Sequence, residues 1–592
     1  MEKKEEYIRK QTNTKSSPCN DFFEYAAGNS DIDEVKDMLN VELDAVVGEA
    51  EVHKFMFLHG IYKYYVKCVG KSMPEEELTL QERVQFANER FKDVQFPLQP
   101  QDDWLTHDDK YDPLLNRLYR ALLERGASFL TGIPAAAARQ VIYLPSSLPL
   151  SENETKSVWD EYCAVTKCSS RDVHRGNYAY TYERMSPDKT ADFLRVFLGY
   201  EIEIRHVYRL ECSECSADTR KAARAGMVNQ LFEALMSKNN YYPTSCVSSM
   251  SDMFPVYFHK LALDRARRNT TYFNKMKEDF FTIYTLVINE AREAINGKRV
   301  IKDPSLRGLY NQLLDSARLM FYEYPAFEDE NFEKYFGNLS TKTPYRSRFL
   351  NNFIGLVRFA NETNNPLPNL PAVNKVAQYL GNEYAVAPDW QLSKLPFYSP
   401  DWTPPIKFSW AGNIIAHEVG HSFFGAFTWT QLRPGIKELK QCIIDLYSNQ
   451  CSPKRPEECV DPEVTLSETI PDLLGIQWAY AAYKRYMLYK PVEYFIKDRL
   501  LRLLGDDQIF FINLAQSFAI TAGWESFQRT KVHPPGEVRV RGMMANFPAF
   551  ANAFACPVGS KYNPEKKCNT FLGTVFGDPN IYAKYTTIAQ GT

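Results

Sequence analysis

The stretch IIAHEVGHSFF, Ile414 to Phe424, decides how the rest of the chain is read. Residues four apart on a helix share a face, so His417 and His421 can reach one cation while Glu418, one residue on, leans beside it. Two imidazoles do not complete a zinc site. Zinc takes a third protein ligand and, in a catalytic site, keeps a fourth position open for water. An imidazole as third ligand would require glycine at position 424 and histidine at 427, but the chain has Phe424 and Phe427. A carboxylate from a later helix is the other route. The segment TLSETIPDLL, Thr465 to Leu474, sets Glu468 and Asp472 one turn apart among Leu466, Ile470, Leu473 and Leu474. That apolar flank favours burial over a solvated edge, so Glu468 can face the ion while Asp472 accepts a hydrogen bond from a ligand histidine.

Around this core lies an ordinary globular composition, 44% apolar and 24% charged over 592 residues, too long for one hydrophobic core. The net charge of -3 offers no basic field for nucleic acid, and no nucleotide or calcium motif is visible. The charged start MEKKEEYIRKQTNTK is not a secretory leader, and the greasiest run, Ile509 to Thr521, is too short to span a bilayer. Any membrane attachment is therefore expected through an anchor outside this chain. Twelve cysteines and sequons at Asn153, Asn269, Asn338 and Asn361 point to an oxidising, extracellular compartment. The close pairs Cys163 with Cys168, Cys212 with Cys215, and Cys451 with Cys459 form no zinc ribbon and are read as disulfides.

Helical periodicity dominates the first half, over Pro113 to Leu130, Thr190 to Leu210, Thr219 to Met236, Tyr272 to Ile295 and Pro304 to Phe321. The strongest punctuation is NNPLPNLP, Asn364 to Pro371, and a second helical set begins near Ser409.

With these motifs in order, the chain resembles the neprilysin and endothelin-converting family of zinc metallopeptidases. The likeness begins at PCNDFFEYAAGN (Pro18 to Asn29), continues through PFYS (Pro396 to Ser399) and IFFINLAQSF (Ile509 to Phe518), and closes on CPVGSKYNPEKKC (Cys556 to Cys568). The resemblance implies a mainly α fold of two helical lobes enclosing a central cavity, the C-terminal lobe thermolysin-like with a small β component. It divides the chain into a tail over 1–17, a helical lobe over 18–345 and a catalytic lobe over 346–592. It implies one Zn2+ held by His417, His421 and Glu468, with Asp472 behind a ligand and Glu418 as the base. VHPPGEVR, Val532 to Arg539, is similar to the family's His-x-Pro segment; this would make His533 a stabiliser of the tetrahedral intermediate and Arg539 a grip on the substrate carbonyl. The implied partners are oligopeptides, cut on the amino side of hydrophobic residues, with Phe397, Ile414 and Phe518 lining the pocket.

The sequence also departs from the family. Where the family binds substrate backbone with Asn-Ala-aromatic-Tyr, this chain reads Asn374-Lys375-Val376-Ala377, and only the asparagine survives. Ser422-Phe423-Phe424 replaces Gly-aromatic-Asp after the second histidine, removing an acidic group whose loss typically costs about 10- to 100-fold in metal affinity or activity. Pro471 stands where the family has alanine and is expected in the first turn of its helix. These changes carry the competing reading, a weak or inactive homologue that binds peptides or a protein. Two positions the family joins by a disulfide are Ala27 and Ala519 here, so one bridge is absent with no thiol stranded. The long pairs implied by the resemblance are Cys19–Cys556, Cys68–Cys246 and Cys442–Cys568.

Overall fold

The computed structural model describes residues 1–31, 41–55, 79–124, 141–144, 152–170, 181–189, 206–212, 215–237, 255–297, 303–321, 324–337, 377–380, 385–388, 397–430, 436–489, 501–519 and 532–568, with a few short stretches between them. The described chain is mostly helical and forms two compact units. One comprises Met1–Glu42, Leu263–Tyr322 and Lys375–Thr592, the other Leu43–Ala262 and Glu323–Asn374. This is not the single division expected near 345. The opening residues and the long middle helix both belong to the unit that carries the zinc motif.

The opening residues join that unit for reasons of chemistry. Residues 1–17 are no tail: Glu2–Gln11 is a helix, and a second follows at Phe22–Ala27, capped by the Asp21 side chain accepting from Glu24 N. Gln516, buried in the helix Asp506–Ala519, donates from Nε2 to Ile8 O and Ala26 O, both at 2.9 Å, and to Thr12 Oγ1 at 3.3 Å. Phe22 stacks edge-on against Phe550 and Phe554, and Cys19 is bonded to Cys556 with α-carbons 5.2 Å apart. Ala27 therefore ends its helix beside the bond from Gln516 to Ala26, and Ala519 lies one turn beyond Gln516.

The middle helix, Thr270–Asn296, has its side-chain cap at Asn269 and buries the stripe Phe273, Met276, Phe280, Ile283, Val287, Ala291 and Ile295. Spacings of three and four put these on one face, which packs on the helix Leu466–Tyr489 and on a π-turn at Phe408–Gly412. Arg485 closes the join by pairing with Glu290 and Glu293. The next helix stops at Ser316 rather than running to Phe321, because Ala317 turns extended and Arg318–Leu319 pairs in parallel with Ala385–Val386. That strand is part of a three-stranded sheet completed by Ala377–Leu380.

The second unit builds its core on Phe91, Phe96, Trp159, Tyr162 and Phe232, with the Phe96 and Phe232 rings stacked 3.8 Å apart. Its helix Ala217–Met236 follows the expected span closely. The helix expected over Thr190 to Leu210 is corrected at its end: His206–Glu211 is the central strand of a sheet, between Val141–Leu144 and Thr181–Arg184. Burial alternates through this strand, with Val207, Arg209 and Glu211 buried and Tyr208 and Leu210 partly exposed, and that period of two holds where the charged members find partners. Glu211 and Arg209 stay buried because Arg224 pairs with Glu211 at 3.3 Å and Arg209 pairs with Asp112. Residues 190–205 lie outside those described.

Candidate metal centre and its surroundings

The helix Asn413–Thr430 carries His417, Glu418 and His421, and the helix Leu466–Tyr489 carries Glu468 and Asp472. Two glycines let these helices meet. A Cβ on Gly420 would lie 2.9 Å from Pro471 Cα, and one on Gly475 would lie 3.1 Å from His417 N, so only hydrogen fits at either contact without movement. Pro471 is the sixth residue of its helix, beyond the first turn to which it was expected to be confined. What holds it there is this packing against Gly420, which offsets the hydrogen bond that a proline cannot donate.

The close approach brings one carboxylate oxygen among three imidazoles. Glu468 Oε2 lies 3.2 Å from His417 Nε2, 3.8 Å from His421 Nε2 and 3.0 Å from His533 Nε2. Among the described residues it is nonetheless a buried oxygen with no aligned hydrogen-bond partner. Ligands bound tetrahedrally to zinc at about 2.0–2.1 Å stand roughly 3.3 Å apart, close to the 3.2 Å between Glu468 and His417, with His421 further off at 3.8 Å. An orphaned buried oxygen facing two imidazole nitrogens at these distances fits a metal ion. The Glu418 carboxylate lies within 4.8 Å of the ligand atoms of both His417 and His421.

Behind this group sits a second layer of charge. His417 Nδ1 is 3.0 Å from Asp472 Oδ1, and Arg539 donates to Asp472 from Nε at 2.7 Å and Nη2 at 2.6 Å. All three are buried. Burial opposes charge on His417, but Asp472 and Glu468 hold its pKa up to about 9. Burial and the neighbouring His417 instead push His421 down to about 3. Burial raises Glu468, yet His417 and His533 outweigh it and keep the carboxyl well below the usual range. Asp472 is likewise lowered, with burial opposed chiefly by the Arg539 charge. Two helix histidines are thus held differently. One is backed by a buried acid, while Ser422, beside the other, bonds its own helix at Val419 O.

Of the expected pocket residues, Phe397 and Phe518 are brought together through Trp410, with ring centroids at 5.5 and 5.9 Å. The Arg539 guanidinium stands 4.7 Å over the Phe518 ring, which links this aromatic wall to Asp472. Ile414 is half-buried on the metal helix. Asn374, Cys68 and Cys246 lie outside the described residues, as does the side chain of Phe424. Sequence reasoning missed Trp410 and also Tyr447, whose buried hydroxyl shares the environment of Asp472 and Arg539. No motif marks either residue. Trp410 was findable only as the aromatic in the turn before the metal helix.

Residues 377–570 match the model of peptidase family M13. This part of the chain is similar to peptidase family M13. Neprilysin of Oryctolagus cuniculus is 31% identical over 191 residues, 30% of this chain and 25% of that protein. Endothelin-converting enzyme-like 1 of Homo sapiens is 29% identical over 218 residues, 34% of this chain and 27% of that protein. The matched M13 segment thus spans about a quarter of the length of these relatives. Among solved structures, the Haemonchus galactose containing glycoprotein complex superposes with a TM-score of 0.67 at 17% identity, covering 96% of this chain and 99% of that one. PepO of Lactobacillus rhamnosis HN001 gives 0.57 at 15%, covering 92% and 97%. At such identities these likenesses establish the fold, which extends well beyond the M13 segment.

Proposed function

We propose that the chain is a zinc-dependent endopeptidase, and the observation that carries this is the buried Glu468 oxygen placed between His417 and His421 without an aligned donor. His417, His421 and Glu468 would hold one Zn2+. Bound there, zinc supplies Lewis acidity and makes a water acidic near neutral pH. Glu418 takes the proton from the attacking water and returns it to the leaving amine. His533 is exposed and 3.0 Å from Glu468, and it would meet a developing oxyanion. Arg539 serves first to fix Asp472, since Nε and Nη2 both donate to it, and reaches the substrate carbonyl with what remains of its guanidinium.

The substrates are oligopeptides cut on the amino side of hydrophobic residues, which the wall of Phe397, Trp410 and Phe518 receives. Burying a large side chain contributes about 1.5–3 kcal/mol, so Phe or Leu should outrank Asp after the cut by roughly tenfold or more. Disulfides and the M13 relatives support an extracellular location; among the described residues no helix is long and apolar enough to cross a membrane.

Ser422, turned onto Val419 O where the family pattern places no serine, favours a second reading, a peptide-binding homologue with weakened metal affinity. Zinc stoichiometry and hydrolysis of a quenched peptide, compared between wild type and Glu418→Gln, separate the two. Turnover that is lost in the variant while zinc is retained supports the peptidase, and absent turnover with tight peptide binding supports the second reading.

A further inference from the structure

Asn269 opens the tripeptide Asn269-Thr270-Thr271 and sits at the N-cap of the helix Thr270–Asn296. All three residues are exposed, and the first fully buried side chain of the helix is Phe273. The cap uses one end of the amide only: Asn269 Oδ1 accepts from Tyr272 N at 3.1 Å. The oxygen is committed to the helix and the nitrogen is on the other branch of an exposed side chain. Asn153, by contrast, lies within the helix Glu152–Thr166, and Asn338 and Asn361 lie outside the described residues.

We propose that Asn269 is a site of N-linked glycosylation, an inference that rests on the extracellular reading given above. Its donor is a lipid-linked oligosaccharide diphosphate. One N–H bond of Nδ2 breaks, a bond from Nδ2 to the anomeric carbon forms, and the lipid diphosphate leaves with the electron pair and accepts the proton. The second residue after the asparagine must carry a hydroxyl, and here Thr271 does. The glycosylated amide keeps its carbonyl oxygen, so the sugar and the helix cap coexist on one side chain. The glycan would leave from the exposed N-terminal end of the 27-residue helix, ahead of its first buried residue, Phe273.

The test is peptide mapping of the full chain purified from the cells that make it, alongside Asn269→Asp and Thr271→Val made in the same cells. Aspartate keeps an oxygen for Tyr272 N but has no amide to modify. Valine leaves Asn269 and its cap intact but removes the hydroxyl. The wild-type peptide containing Asn269 should carry a hexose-bearing glycan that a glycoamidase removes, leaving aspartate at 269. Both variants should lose it completely while their melting temperatures match that of deglycosylated wild type. An unmodified wild-type peptide, in a digest where the peptides of Cys442 and Cys568 are recovered disulfide-linked, would overturn the site and leave the extracellular reading standing. Those cysteines recovered as free thiols with Asn269 unmodified would overturn both. A glycan that persisted in Thr271→Val would also refute the assignment.

Discussion

The metal group is small enough to be argued atom by atom. Glu418 differs from glutamine by one proton-accepting oxygen, so Glu418→Gln is expected to keep zinc and fold while losing turnover by more than tenfold; parallel zinc and rate assays check it. Glu468 is different in kind, because its oxygen stands 3.2 and 3.8 Å from the two helix histidines. Glu468→Ala should lower zinc stoichiometry itself, and an unchanged metal content would remove it from the ligand set. Asp472 is 3.0 Å from His417 Nδ1 and doubly bonded to Arg539, a geometry that fixes the orientation of the His417 ring.

At the scale of the element, the site depends on two helices whose backbones nearly touch. Gly420 sits inside the HEVGH motif but is no ligand; it leaves room for Pro471. Gly420→Ala places a methyl 2.9 Å from Pro471 Cα, which is backbone and cannot rotate away. The expected cost is about 1–3 kcal/mol of stability, with weaker zinc binding as Glu468 is pushed from His417. Chemical denaturation with a chelator titration measures both, and wild-type values for both would show that the helices are not in close contact there. The helix Glu2–Gln11 supplies a pH-dependent case. Lys4 is buried, 4.8 and 4.7 Å from the ring centroids of Tyr7 and Trp402, and burial lowers its pKa to about 7 from an ordinary 10.5. Between those values the unfolded chain binds the proton more tightly than the native one, so the penalty is full below about pH 7 and fades as pH rises toward 10.5. Lys4→Met should therefore raise the melting temperature most at pH 6 and least at pH 10. A gain independent of pH would mean that Lys4 stays charged without cost.

For the whole molecule, the unit that carries the HEVGH motif is assembled from three separate lengths of chain. Cys19–Cys556 and Gln516 fasten the first of them. A bridge that closes a loop of more than a hundred residues is worth at most about 4–5 kcal/mol in the chain-entropy model. Replacing Cys19 and Cys556 together by serine should cost part of that and open residues 1–31 to proteolysis before the unit unfolds. Gln516→Leu should act in the same direction, since Ile8 O and Ala26 O lose their donor. Equal protease resistance in wild type and both variants would show that other contacts hold the segment.

Much of the centre was legible because its information is local. A period of four puts His417 with His421 and Glu468 with Asp472 on helix faces, and the long helix Thr270–Asn296 announced itself by its apolar stripe. Where the pattern was read too far, long-range partners overrode it: Arg318–Leu319 and His206–Glu211 became strands because other strands lay beside them. By itself the sequence determined the helical class, the candidate metal-ligating residue types and the family likeness, since each is written in spacing or in an ordered run of motifs. Only the tertiary structure decided that residues 1–31 join the unit that carries the HEVGH motif, that Trp410 joins Phe397 to Phe518, and that Arg539 is bound to Asp472. Those contacts link residues tens to hundreds of positions apart, and no local periodicity encodes which buried groups will satisfy one another once the chain has folded.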